Sequence, residues 1–222
     1  MSAVTISKPA GNISHKRYRR IVMVFVTGGV SLFVLWKAAT LWNWNPHYRV
    51  GQEVDRLNGV QVFYNGGVGH SSGRSLAPDG YNLGLNYQCV EFVKRYYYEH
   101  LKHKMPDSYG HAKQFFNATL KDGELNTQRD LLQYTNDSQS KPRVDDLLVF
   151  GPSLFHRFGH VAIVSAVTNS EIEMVQQNPG PFGSSRERLA LVSRDGRYQC
   201  ENGRVLRRLR KKKQQNGDAY KS

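Results

Sequence analysis

Cys89, His160 and Gln176 are the residues whose types and surroundings point most directly to chemistry. Cys89 follows a Gly- and Asn-rich turn region beginning at Asp79. It opens an amphipathic run of Val90, Phe92, Val93, Tyr96, Tyr97 and Leu101, whose spacing predicts a helix to about Leu101. A thiol at a helix start meets unpaired N–H groups and the positive dipole end, and both favour the thiolate. The position therefore predicts an activated nucleophile with a depressed pKa. A lone cysteine can equally be a small buried hydrophobe, so a second group must decide.

That second group lies in residues 158–178. Two β-type runs flank a polar turn at Thr168, Asn169 and Ser170, and predict a hairpin with His160 opening one strand and Gln176 near the end of the other. Antiparallel pairing makes those two ends neighbours, so imidazole and carboxamide can meet. A cysteine at a helix start and a histidine oriented by a polar side chain are what thiol acyl transfer requires.

The blocks YQCVEF, GHVAIV and VQQN resemble those of the CHAP family, cysteine- and histidine-dependent amidohydrolases and peptidases. Within that family they are most similar to the amidase domain of the glutathionylspermidine synthetase/amidases. The resemblance covers roughly residues 59–192. It implies an α+β, papain-like fold in which the nucleophile helix packs on an antiparallel sheet. It also implies Cys89 as nucleophile, His160 as general base, and Gln176 where relatives usually carry Glu. A neutral amide can still accept the imidazole N–H, but it stabilises an imidazolium less than a carboxylate would. Asn178 is the second candidate for that orienting role. The Cys89 N–H is the natural oxyanion donor, with Gln88 as a further candidate. No cofactor is expected. His156 and His160 are interrupted by Pro152 and Gly159 and no further ligands complete a set, so no metal is expected either.

Around these residues the 222-residue chain carries a formal charge of +13 and a pI near 9.8, which suits an anionic environment such as membrane surface, wall polymer or nucleic acid. Nothing supplies base readout, so nucleic acid is not an expected partner. Residues 1–20 are basic and lack acids, and residues 21–36 are wholly uncharged. Counted to Trp42, the apolar run approaches the length needed to span a bilayer, with Lys37 able to snorkel and Trp36, Trp42 and Trp44 suited to the interface.

The basic flank predicts a cytoplasmic N-terminus (1–20), a signal-anchor (21–42) and everything beyond it on the outer face of a bacterial inner membrane. A cleaved signal peptide is the competing reading, with residues 38–40 as the nearest approach to a cleavage site. A tether (43–58), an amidase domain (59–203) and a basic C-terminal tail (204–222) complete the expected organisation.

Further elements are expected as a first strand over residues 59–64, a Gly-rich loop over 65–79, a second helix over about 111–120, a mostly irregular 122–143 and a buried strand over 145–150. Asp145 stands where the family pattern has Gly. The tail, rich in Arg and Lys from Arg204, reads either as a solvated terminus or as a binder of anionic lipid or wall polymer. With two cysteines, a Cys89–Cys200 disulfide is formally possible and would block the nucleophile; a partly buried thiol at Cys200 is the preferred reading.

Taken together, these features predict a membrane-anchored cysteine amidohydrolase or peptidase acting on peptidoglycan stem peptides. A small-molecule amidase acting on a glutathionylspermidine-like amide and an inactive CHAP-fold binding module remain as alternatives.

Overall fold

The computed structural model of the protein describes residues 15–212. It divides into two compact units, one ending at Ala39 and one beginning at Thr40. The described part of the first belongs to a helix, α1 (His15–Leu41), whose last two residues fall in the second unit; it is long and apolar enough to cross a membrane, with a best 18-residue window of mean hydropathy 2.0. None of that window is buried against protein. By its length and composition this helix could cross a membrane.

The second unit is α+β. A hairpin of β1 (Glu53–Leu57) and β2 (Val60–Phe63) is followed by a second of β3 (Arg74–Leu76) and β4 (Asn82–Leu85), and then by α2 (Cys89–Glu99). The later strands are β5 (Leu125–Asn126), β6 (Leu131–Thr135), β7 (Leu147–Phe150), β8 (His160–Val167), β9 (Glu171–Val175), β10 (Arg186–Arg194), β11 (Arg197–Cys200) and β12 (Val205–Arg210). They form one antiparallel sheet in the order β11-β10-β9-β8-β7-β12-β6-β5.

Period-two alternation divides the sheet's side chains between two cores. Leu147, Val149, Val161, Ile163 and Val175 pack with Phe92, Val93, Tyr96 and Tyr97 of α2. Leu148, Phe150, Ala162, Val164, Met174 and Cys200 form the second cluster. The two cysteines thus belong to different cores, and both thiols are free.

Several sequence expectations are corrected. The stretch read as a tether contains β1, and residues ahead of it are bonded into the domain: Gly69 N–H donates to Thr40 O (2.8 Å), Tyr64 Oη to Asn43 Oδ1 (2.7 Å) and Asn45 Nδ2 to Pro181 O (2.9 Å). The turn region before Cys89 contains β4. The helix expected over 111–120 is only a single 3₁₀ turn, Ala112–Phe115. There Asn117 breaks the helix, turning its carboxamide oxygen onto the Thr119 N–H while Gln133 holds its backbone. Residues 122–143 contain β5 and β6.

The largest change concerns the basic tail. Val205–Arg210 is a strand inside the sheet, between β7 and β6. Arg208 and Arg210 converge on the fully buried Asp146, with Arg210 Nε 2.6 Å and Arg208 Nε 3.4 Å from its carboxylate. Lys212 pairs with Asp130 at 2.9 Å. The remainder of the expected tail, residues 213–222, lies outside the described residues, as do residues 1–14 of the expected basic N-terminus (1–20), whose residues 15–20 open α1.

Asp145 explains its own departure from the family pattern. Its φ is +72°, in the left-handed region where Gly is favoured and Asp is among the better-tolerated alternatives. The carboxylate accepts from Tyr96 Oη at 2.5 Å and the carbonyl from Tyr97 Oη at 3.0 Å, which ties this turn to α2.

Candidate active site

Cys89 is the first residue of α2, with Gln88 as an extended N-cap that makes no side-chain capping bond. The first-turn N–H groups of Cys89 and Val90 therefore face the sulfur, and the N–H of Val161 on β8 reaches it from the sheet. Val161 follows His160 in the chain, so packing α2 on the sheet sets the Cys89 sulfur against the start of the strand that His160 opens. His160 opens β8 opposite Phe150, the last residue of β7.

The preceding Gly159 holds φ +79°; a Cβ there would stand 2.7 Å from the Phe150 carbonyl oxygen. Only glycine fits this close turn, and that turn aims His160.

The His160 Nε2–Gln176 Oε1 distance is 2.8 Å. Gln176 Nε2 donates to Ser184 O at 3.0 Å and to Glu187 Oε2 at 3.3 Å, so the amide's oxygen end must face the histidine. An acceptor opposite Nε2 requires Nε2 to carry the proton, which leaves Nδ1 as the basic nitrogen. Nδ1 is buried and has no hydrogen-bond partner among the described residues.

Asn178 does not share this role. Its Nδ2 donates to Val68 O (2.9 Å) and Gln88 Oε1 (2.8 Å). The Gln88 carboxamide is engaged in turn with Asn178 and with His70 O (2.5 Å), so both side chains brace the loop beside Cys89. The sequence reading paired Asn178 with His160 and Gln88 with the oxyanion; the bonds instead join these two residues to each other.

Burial sets the electrostatics. It pushes the Cys89 thiol up to about 11, against the pull of the Val161, Val90 and Cys89 N–H groups. The depressed pKa expected from the helix start is thus overturned, because desolvation of the thiolate outweighs the helix-end groups. For His160, burial and then the neighbouring His156 push the imidazole down to about 3, with the Gln176 bond opposing them. The resting pair is a neutral thiol and a neutral imidazole.

Gln177 and Glu91, which sequence reasoning passed over, and His156, which it weighed only as a metal ligand, complete the setting. Gln177, fully buried, accepts from Phe63 N–H at 2.8 Å and donates to Gln88 O at 3.0 Å and Glu91 Oε2 at 2.8 Å. Glu91 also holds Arg95 at 2.6 Å within α2, so β2, α2 and the end of β9 are locked together. His156 lies edge-on to His160, with ring centroids 5.1 Å apart, and its Nε2 is 3.2 Å from Asn178 O. The VQQN block contained Gln177, but only its burial reveals the clamp. No group of three or more His, Cys, Asp or Glu side chains suited to a metal occurs among the described residues.

Residues 79–178 match the family model of the CHAP domain, a span containing Cys89, His160, Gln176 and Asn178. Over these residues the chain is similar to the CHAP domain family. CHAP domains are of the amidase and peptidase type, acting on amides. The trypanothione synthetase of Crithidia fasciculata is 27% identical over 107 residues, which is 48% of this chain. The match spans only 16% of that relative's length. Among solved structures, the crystal structure of Ly7917 aligns at 15% identity and a TM-score of 0.33, covering 64% of this chain and 57% of that one.

Proposed function

We propose that the protein is a membrane-anchored cysteine amidohydrolase or peptidase whose CHAP domain faces away from the cytoplasm of a bacterium and cuts amide bonds in peptidoglycan stem peptides. The observation that carries the reading is His160, held through Nε2 by Gln176 with Nδ1 left basic, at the strand start whose next N–H meets the Cys89 sulfur.

In this reading Nδ1 of His160 takes the Cys89 proton as Sγ attacks the amide carbonyl. The sulfur–carbon bond forms while the carbonyl π pair moves onto oxygen, which the Cys89 N–H stabilises. Because both groups rest neutral, proton transfer accompanies attack rather than preceding it. The imidazolium then delivers its proton to the departing amine as the C–N bond breaks, leaving a thioester that water hydrolyses with His160 again as base. Gln176 keeps the ring in the productive tautomer throughout. The apolar run of α1, with the basic stretch 16–20 at its start, supports the anchored topology, and the basic charge suits an acidic wall polymer.

A small-molecule amide is the second reading, and the similarity to a trypanothione synthetase favours it. The test incubates the full chain in detergent with purified peptidoglycan and, separately, with glutathionylspermidine, and reads products by mass spectrometry beside Cys89→Ala. Cys89-dependent release of stem-peptide fragments supports the wall hydrolase. Free glutathione and spermidine transfer the reading to the small-molecule amidase. Turnover that survives Cys89→Ala rejects the thiol mechanism, and binding without turnover makes the domain a ligand-binding module.

A further inference from the structure

The loops at the His160 end of the sheet carry large apolar side chains that the domain does not cover. Leu154 lies in the β7–β8 loop and Phe182 in the β9–β10 loop, and each is 74% exposed. Phe155 beside Leu154 is 53% exposed. The loops are joined, since His156 Nε2 lies 3.2 Å from Asn178 O. The segment entering the domain meets them there: Asn45 Nδ2 donates to the carbonyl of Pro181, next to Phe182, and Tyr64 Oη lies 3.2 Å from the same oxygen. That segment brings Trp42 and Trp44, 66% and 52% exposed, with ring centroids 6.4 Å apart.

Several large apolar groups concentrated at one end of a domain mark an interaction surface rather than the scattered exposure of an ordinary one. Chain length says what covers it. α1 ends at Leu41 and Asn45 is already bonded to the Pro181 loop, so the helix end is four Cα–Cα steps, roughly 14 Å at full extension, from this rim. If α1 spans the bilayer, the rim lies within that reach of its surface. Trp42 and Trp44 are of the type enriched at the interface, and Arg157, stacked over Phe158 at 4.7 Å, suits anionic head groups.

We propose that this rim, comprising Trp42, Trp44, Leu154, Phe155 and Phe182, is a second membrane contact that seats the His160 end of the domain on the bilayer surface. The proposal rests on the anchored topology above and deepens it: the amides within reach are those presented at the membrane face, not those throughout a tether's sweep. The segment before β1 is bonded to the domain at Gly69, Tyr64 and Pro181, so residues 40–45 are part of it rather than a loose tether.

The test uses the full chain reconstituted in phosphatidylethanolamine–phosphatidylglycerol vesicles, with Cys89 and Cys200 replaced by Ala. An environment-sensitive fluorophore is attached at Phe155→Cys, at Phe182→Cys or at Ser170→Cys. Ser170 lies in the β8–β9 turn, at the opposite end of the sheet. Lipids with nitroxide-labelled head groups should quench the probes at 155 and 182 and blue-shift their emission, while the probe at 170 keeps its fluorescence. Equal behaviour of all three probes in chains that resist carbonate extraction overturns this proposal and leaves the anchor intact. Loss of the chain to the carbonate supernatant overturns both. Quenching that depends on protein concentration, with the nitroxide carried by a second copy rather than by lipid, overturns it in favour of self-association.

Discussion

Gln176 presents its carbonyl oxygen to Nε2 of His160 at 2.8 Å, and its own N–H groups are spoken for by Ser184 O and Glu187. A side chain with two chemically different ends has therefore been fixed end-on, and this fixes the histidine's tautomer. An acid at this position would hold the ring equally well and would also favour the imidazolium. The amide holds it without that added charge.

Replacing Gln176 separates the two effects. Gln176→Ala should lower turnover on the amide substrate by about a hundredfold or more, because the imidazole loses its tautomer and orientation. Gln176→Glu should retain turnover and raise the His160 pKa, since a negative charge beside the ring favours its protonated form. Nitrogen-detected NMR of His160 across pH reads this directly; an unchanged titration would contradict the tautomer account.

The depressed His160 pKa makes stability pH-dependent. In the unfolded chain this histidine binds a proton below 6.5, whereas in the folded protein it stays neutral to about 3. Its contribution is thus fully present above pH 6.5 and is lost as pH falls towards 3, by up to about 5 kcal/mol. Thermal denaturation of His160→Gln should fall less between pH 6.5 and 4 than that of the wild type.

The raised Cys89 pKa has a kinetic consequence. With the thiol pushed up to about 11, alkylation of Cys89 by iodoacetamide should be slow at pH 6–8 and climb steadily towards alkaline pH. A rate plateau reached already at pH 6, read by mass spectrometry of the modified peptide, would restore the preformed thiolate.

Asp146 is the counterion of β12. Removing it as Asp146→Ala leaves Arg208 and Arg210 without their carboxylate in a buried setting and should cost about 3–5 kcal/mol, against near-neutrality for Lys212→Ala at the exposed pair. Urea denaturation distinguishes the two.

Gly159→Ala tests the turn that aims His160. The positive φ and the crowding against Phe150 O together should destabilise by on the order of 2 kcal/mol and lower turnover, as the strand start shifts. Gly203→Ala, where an added Cβ meets nothing within 4 Å, is the control and should do neither.

The sequence by itself determined the features that are local. The run after Cys89 has one apolar face, so it is a helix in any context that offers it a sheet, and Cys89 begins it. The alternation around His160 and before Gln176 makes a hairpin, and antiparallel geometry then brings these residues within a hydrogen bond. The uncharged run after the basic residues makes an apolar helix for the same reason.

What only the tertiary structure decided depends on partners distant in the chain. Arg208 and Arg210 look solvated in sequence because Asp146, their counterion, is more than sixty residues away. Asn178 and Gln88 look like site groups by their position, yet ninety residues of separation close into a single bond between them. The thiol's ionisation turned out opposite to the helix-end expectation, because how far water is excluded from Cys89 is set by the whole core around it and not by the residues beside it.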